Sequence, residues 1–581
     1  MAVSDVTALV GHEAILADDD AKLRALGYTP VLWRAWGAFT AITLTISAMS
    51  VLTSITASFG TGLTYGGPVV CVWGWIGASF CMLCVALGMA ELSSAYPTSG
   101  GMYYWQFRLA GPKVGPFACW ITGWLNLLGQ IASVSAVAFL CSGLIHTMAS
   151  MAATVNGGTP YALTPAQDLG VYGGCIFLVA LLNSCGLTVL TLVTQLGGMF
   201  HLVGVTLLIL IVPLMATSHQ SAGFVFTKFE TQLAIDSGIT NYFNIAILGL
   251  LLPAYSYTGM DGCAAPAAAP RGSAAPARAR RGACRRPSRH THTRTRAAQA
   301  GAHERGGGGR EPRAAKAILV GWGVMFVGGL GMIISLLFSM TGIEAVLDET
   351  NPAAGNAVGQ IMYDASMQRF GSPRVGIGLM SIIILGVFTC NVATLTYVSR
   401  ILFCYSRDRA VPLSGLWQKV DKRTKSPLAA IWGVALGAFL LGLPMLGSST
   451  AFNAILSLST ISLIIAYVSP ITARISWGRR YFEPGPFNLG VWAYPVGVVA
   501  TLWAIFAAVV FCLPIEMPVD ADNLNYAAVA FVGTCTLSTL FFYCPVIGAY
   551  KWFKGPRHTV DDDSAHVREG PGEFGKGTDA A

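Results

Sequence analysis

Long apolar runs separated by short polar connections organise this chain. Such runs occupy 37–59, 68–91, 117–146, 170–188, 190–216 and 239–261, then 317–341, 374–404, 427–447, 452–474, 491–513 and 525–550. A helix needs about 20 apolar residues to cross the hydrocarbon core of a bilayer. Only an element that satisfies its own backbone hydrogen bonds persists there. The pattern therefore predicts an all-α polytopic membrane protein of about twelve transmembrane helices, spans 1 to 12 in chain order. The division between spans 4 and 5 is the least marked and rests on Ser184, Cys185 and Gly186. Tails cover 1–36 and 551–581, and a segment of different character, 263–313, separates the first six spans (37–262) from the second six (314–550).

Composition agrees with that reading. Of 581 residues, 54% are hydrophobic and 11% charged, where a soluble domain carries about 25% charged residues. The first 35 residues are polar with no apolar signal core, so span 1 is expected to stay in the chain. Positive charge alternates between connections. It gathers at Lys22, Arg24 and Arg34, at Arg108 and Lys113, and at Arg407, Arg409, Lys419, Lys422, Arg423 and Lys425. Arg479 and Arg480 follow, then Lys551, Lys554 and Arg557, whereas 147–169 and 514–524 have none and 217–238 has only Lys228. Lys and Arg favour the cytosolic side, so both termini are expected in the cytosol, at the plasma membrane or an organelle membrane. The 14 Cys lie mainly inside apolar runs, as small buried hydrophobes rather than a disulfide framework.

The net charge of +8 arises entirely in 263–313, which holds 12 Arg and 2 Glu. The rest of the chain is slightly acidic, so no nucleic-acid surface is expected, and the bilayer is the large partner. The tracts AAPAAAPRGSAAPARARR, THTRTR and RGGGGR contain no large apolar residue. Such composition cannot bury a core and is expected to stay disordered. The segment is either a basic tether for anionic lipid or nucleic acid, or an insert without a role, including translated non-coding sequence.

Around span 2, Gly66, Gly67 and Pro68 open an apolar run ending in Ala90-Glu91, followed by Pro97 and PTSGGMYYW. This arrangement resembles the signature of the amino acid–polyamine–organocation superfamily. Further stretches are SVLTSITASFGTGLTYGGP, YSRDRAVP, EPGPFNLG and WFKGP. They resemble the eukaryotic branch that holds fungal GABA and choline permeases and plant bidirectional amino-acid transporters. The resemblance runs from Thr40 to Pro556, interrupted by the Arg-rich insert. It implies an inverted five-plus-five helix repeat, two extra helices, and a substrate site where spans 1 and 6 unwind.

Broken helices expose free N–H and C=O groups, and half-helix dipoles can hold a carboxylate and an amino group. Span 1 clusters small hydroxyl residues mid-way, with Ser47, Met49, Ser50 and Thr53 as candidates. Span 6 offers Tyr255, Tyr257, Thr258, Gly259 and Asp261, and Gly259 permits the dihedrals that unwinding needs. The plainer reading is that small and hydroxyl residues pack helices together; the resemblance of YTGMD to the family's stretch favours the site. Asp261 either attracts a substrate ammonium or caps the inner half-helix, and a cap needs nothing beyond its position. His201 on span 5 is either a proton-coupling or cation-mimicking group or a neutral histidine bonded between helices. Glu91 and Arg400 lie near the cytosolic ends of spans 2 and 8, as an inner-gate ion pair or as side chains that snorkel to the interface. Trp120, Trp124, Asn126 and Gln130 on span 3, with Asn391 and Thr394 on span 8, are second-rank candidates that line the pocket or join helices.

The chain departs from the family pattern after TGMDG, where a histidine and an acidic stretch give way to CAAPAAAPRG. Pro266 and Pro270 would break the inner half of span 6. The hypothesis is a retained intron or a replaced exon and an impaired chain, supported if a transcript lacking the segment restores the acidic motif. No metal-ligand spacing, nucleotide loop or nucleophile elbow is visible, so neither an enzyme nor a cofactor is expected. The reading is an amino-acid or GABA permease working by alternating access, with an amino acid, GABA or a related amine as substrate and protons as a candidate coupling ion. The alternatives are a choline or polyamine permease and a permease-like nutrient sensor, the latter disfavoured by short tails.

Overall fold

In the computed structural model, residues 38–98, 100–156, 158–161, 163–263, 313–421, 423–424, 426–446, 451–520 and 524–556 are described. Helix dominates them and no β-strand occurs, apart from an isolated bridge between Gly66 and Glu230. Eleven helices among these residues are long and apolar enough to cross a bilayer. Span 1 is Phe39–Thr64, span 2 Gly67–Ala95, span 3 Met102–Ala153, span 4 Pro165–Ser184, span 5 Thr188–Met215 and span 6 Tyr242–Gly262. Span 7 is Ala314–Ser339, span 8 Arg374–Arg407, span 10 Phe452–Ile475, span 11 Gly490–Val510 and span 12 Tyr526–Tyr543. Span 9, Leu428–Gly442, is the twelfth apolar helix and the short one; it tightens into a 3₁₀ turn over Leu443–Leu446.

Local chemistry explains the boundaries. Span 4 stops at Ser184, and Gly186 at φ 102 turns the chain into the next helix. Span 3 is longer than its apolar run because a lead-in helix joins it through Gly111, at φ 76 and ψ 172. Pro112 and Pro116 follow that kink. Pro112 opens the helix that follows, where the first turn has no acceptors for its N–H groups.

The packing carries the pseudo-symmetry. Span 3 packs on spans 4, 8 and 10, and span 8 packs on spans 9, 3 and 5. Spans 2 and 7 pack on each other, as do spans 1 and 6. Each pair maps onto itself or another when the first five spans are matched to the next five. Because five is odd, the matched sets cross in opposite directions, which is an inverted repeat. Span 11 lies against spans 10 and 2, and span 12 against spans 3 and 10. Close approach depends on small residues: Gly198 of span 5 faces Thr43 of span 1, and Gly129 of span 3 faces Ser462 and Leu463 of span 10. Without a hydrophobic drive between helices in lipid, such contacts hold the bundle. Leu214, Leu436, Leu502 and Leu540 point outward, which suits hydrocarbon and not water. The twelve cysteines with described side chains are thiols rather than disulfides. The segment 263–313 falls almost wholly outside the described residues.

Candidate substrate site

Both helices expected to break do so. Span 1 is interrupted at Ser50, whose φ of 32 and ψ of 97 lie outside the helical region. The Ser50 hydroxyl accepts from the Thr53 N–H at 3.2 Å and lies 2.6 Å from the Thr53 hydroxyl, so the second half-helix starts on a side-chain cap. The hydroxyls of Ser54, Thr56 and Ser58 bond back to carbonyls one turn earlier. That habit loosens a helix while keeping every polar group satisfied. Span 6 is helical over Tyr242–Gly249 and Leu251–Ser256, then turns at Gly259 (φ 90) into a 3₁₀ turn over Met260–Cys263. The two breaks face each other: a Cβ on Gly259 would sit 3.1 Å from the Ala48 carbonyl oxygen.

A polar cluster lies at the span 6 break. Asp261 is buried, and its two oxygens accept from Gln130 Nε2 at 2.7 Å and from the Tyr467 hydroxyl at 2.7 Å. The same tyrosine oxygen accepts the Gly259 N–H at 3.1 Å. These bonds are tertiary, and the expected capping role concerns a helix beyond 263, outside the described residues. On span 8, the Cys390 thiol points at the Ala48 carbonyl, 3.5 Å away, and the Thr394 hydroxyl bonds the Cys390 carbonyl at 2.9 Å. Asn391 is buried, with its Oδ1 unpartnered, as is Gln130 Oε1.

The remaining candidates divide. Ser47 donates to the Thr389 carbonyl at 3.3 Å, tying span 1 to span 8. Met49 is buried against Gly321 of span 7. Tyr255 is buried, and its carbonyl accepts from Thr258. Tyr257 turns away from the break: its hydroxyl lies 2.5 Å from that of Ser79 on span 2, and its ring packs on Trp75 at 5.6 Å. His201 is buried, with Nδ1 on its own helix's Gly197 carbonyl at 2.7 Å and Nε2 beside Gly386. Its Nδ1 bond stays within span 5, while Nε2 faces the Gly386 backbone of span 8. Glu91 does not snorkel. It is buried, its ion-pair partner is Arg474 of span 10 at 3.8 Å, and it accepts the Leu489 N–H. Arg400 on span 8 is not the partner of that carboxylate. Trp120 packs against Phe541, Phe542 and Phe553 beside span 12, and Trp124 lies tilted against it at 5.9 Å, so both lie off the cluster. Asn126 binds the Tyr405 hydroxyl at 3.0 Å.

Tyr467, Cys390 and Arg474 carry much of this arrangement and were not singled out in the sequence. A phenol in the middle of ISLIIAYVSP was the available signal, since a buried tyrosine hydroxyl needs a partner.

Two interrupted spans facing each other inside an inverted helical repeat are the architecture of membrane transport proteins built around broken helices. The chain belongs to the amino acid permease family, which matches residues 37–267 and 309–535. It is 37% identical over 542 residues to amino-acid permease BAT1 of Arabidopsis thaliana, covering 93% of this chain and 97% of that protein. Its identity to the rice homologue (Oryza sativa subsp. japonica) is 36% over 541 residues, covering 93% and 96%. To amino-acid permease 2 of Neurospora crassa it is 28% over 531 residues, covering 90% and 87%.

Proposed function

We propose that this protein is a secondary transporter that carries an amino acid across the membrane by alternating access, with both termini in the cytosol. The observation that carries the reading is the facing pair of breaks at Ser50 and Gly259. Opposed half-helix ends offer N–H groups to a carboxylate and C=O groups to an ammonium. Selectivity for the substrate side chain falls to Gln130, Asn391 and Thr394, which border the breaks. An α- or γ-amino acid, GABA included, suits this chemistry. A quaternary amine needs an aromatic cage, and Tyr257 is committed to Ser79 and Trp75 instead.

The gap in the family match falls at 268–308, which supports reading the Arg-rich segment as an addition to the permease. The test is uptake of labelled GABA, arginine, glutamate and choline by transport-deficient cells. One set expresses the chain as it stands; the other carries a short acidic connection in place of 263–312. Uptake by both makes the segment a tolerated loop, and uptake by the shortened chain alone makes it a lesion. Specific binding without uptake by either chain would replace the transporter reading with that of a sensor.

A further inference from the structure

A carboxylate buried at the span 6 break is held by two donors, one of which also holds the broken backbone. The Gly259 N–H donates to the Tyr467 oxygen at 3.1 Å, and the Tyr467 O–H donates to Asp261 Oδ1 at 2.7 Å. Gln130 donates to Oδ2 at 2.7 Å. This pattern fits an ionised carboxylate, which only accepts. The neutral acid needs a different set of partners. A proton on Oδ2 would meet the Gln130 NH₂ group, donor against donor. The Gln130 Oε1 is buried with no hydrogen-bond partner, and turning the amide over brings that acceptor onto the new O–H. A proton on Oδ1 instead makes the carboxyl donate to Tyr467, whose own O–H must then turn away. Either way the bond chain ending at Gly259 changes.

We propose that Asp261 is the group that takes up the coupling proton of the transport cycle, with Tyr467 and Gln130 as positioning residues that pass its protonation state to the span 6 break. The inference rests on the transporter reading above. The proton enters from water on one side of the membrane and leaves on the other, converting carboxylate to carboxyl and back. The groups facing Asp261 suit this. Span 8 contributes the phenols Tyr397 and Tyr405, and span 10 contributes Tyr467. Span 3 brings the amide of Gln130, with Asn126 on the Tyr405 hydroxyl behind it, and span 1 brings Ala48 with no titratable side chain. On span 7 Lys316 is exposed while Ala317 and Ile318 are buried, and Arg400 lies one turn past Tyr397. No cation pairs with Asp261 among the described residues, so no fixed counter-charge locks it ionised. His201 fits the role less well, because its Nδ1 bond stays inside span 5 and its Nε2 faces Gly386. Glu91 is engaged by Arg474.

The test uses the full chain purified into liposomes, with labelled GABA, arginine and glutamate as probes. Two modes are compared: exchange against the same unlabelled amino acid, and accumulation driven by an acid-outside pH gradient. The wild type should do both. Asp261→Asn should lose the response to the pH gradient, read as the ratio of accumulation to exchange so that any loss of substrate binding cancels. Tyr467→Phe removes one donor from the ionised carboxylate and should move the uptake–pH midpoint upward by about one unit, the size of one lost charge-assisted hydrogen bond. Infrared difference spectra between acid and alkaline pH should show a carboxyl band in wild type that Asp261→Asn lacks. An Asn variant that still accumulates substrate under the gradient, or a wild type without that band, overturns the proposal. Exchange without any gradient response in wild type removes the coupling role alone. Absence of exchange and uptake together removes the transporter reading and the coupling role with it.

Discussion

Gly259 is where the break is most sensitive to a single atom. Its φ of 90 is open to glycine and strained for other residues, and an added Cβ would press on the Ala48 carbonyl. Gly259→Ala should cost about 1–2 kcal/mol in the site conformation. That corresponds to roughly a tenfold rise in the substrate KM, measured by uptake in cells with surface expression held equal. Ser50 works differently, through its hydroxyl on the Thr53 N–H. Ser50→Ala should lower thermal stability in detergent by about 1 kcal/mol, the usual worth of an N-cap. A variant as stable as wild type would show that the break is held by packing alone.

Among elements, the connection between spans 10 and 11 is fastened to the end of span 2. Glu91, Ser94 and Tyr96 accept the N–H groups of Leu489, Phe487 and Glu483 in turn. Arg474 completes the fastening, 3.8 Å from Glu91 and over the Phe482 ring at 3.7 Å. Removing one member of a buried ion pair leaves the other uncompensated and costs about 3 kcal/mol or more. Arg474→Ala should therefore lower the melting temperature clearly, and Arg474→Ala with Glu91→Gln should recover part of the loss. Equal melting of the single and double variants would argue that the two charges do not interact. Amino-acid permease signatures thus read, in this chain, partly as a fastening of the face that carries Glu91 rather than as contacts at the break.

For the whole molecule, the charge alternation and the span count together support the proposed orientation, with both termini in the cytosol. Tags placed at either terminus should be reached by antibody only after the membrane is permeabilised, while a tag in 217–238 should be reached on intact cells or sealed vesicles. Labelling of a terminal tag without permeabilisation would shift the count by one span and reverse the inward–outward assignment. The inverted repeat adds an expectation at the same scale. Because spans 3 and 8 form matched partners packed on each other, cysteines placed along their shared face should crosslink in every transport state, whereas pairs joining the span 1 and span 6 breaks to that face should crosslink in some states only.

The spans, the short ninth helix apart, and the turn at Gly186 were legible along the chain, and both broken helices were legible once the family resemblance was added to their small and hydroxyl residues. Each depends on conditions that act on one segment at a time: hydrocarbon demands about 20 apolar residues and closed backbone bonds, and hydroxyls or a glycine mark where a helix yields. The partners of the polar side chains were not legible. Asp261 meets Gln130 and Tyr467 across 131 and 206 residues of sequence, and Glu91 meets Arg474 rather than Arg400. Tyr257 was a candidate at the span 6 break, but its hydroxyl lies against that of Ser79 on span 2. A helix fixes which residues share a face, and nothing in its own sequence says which helix will lie against that face. That choice belongs to the packing of small residues across spans. It decided here that Asp261, a lone acidic residue near a glycine, meets Gln130 and Tyr467 at the span 6 break.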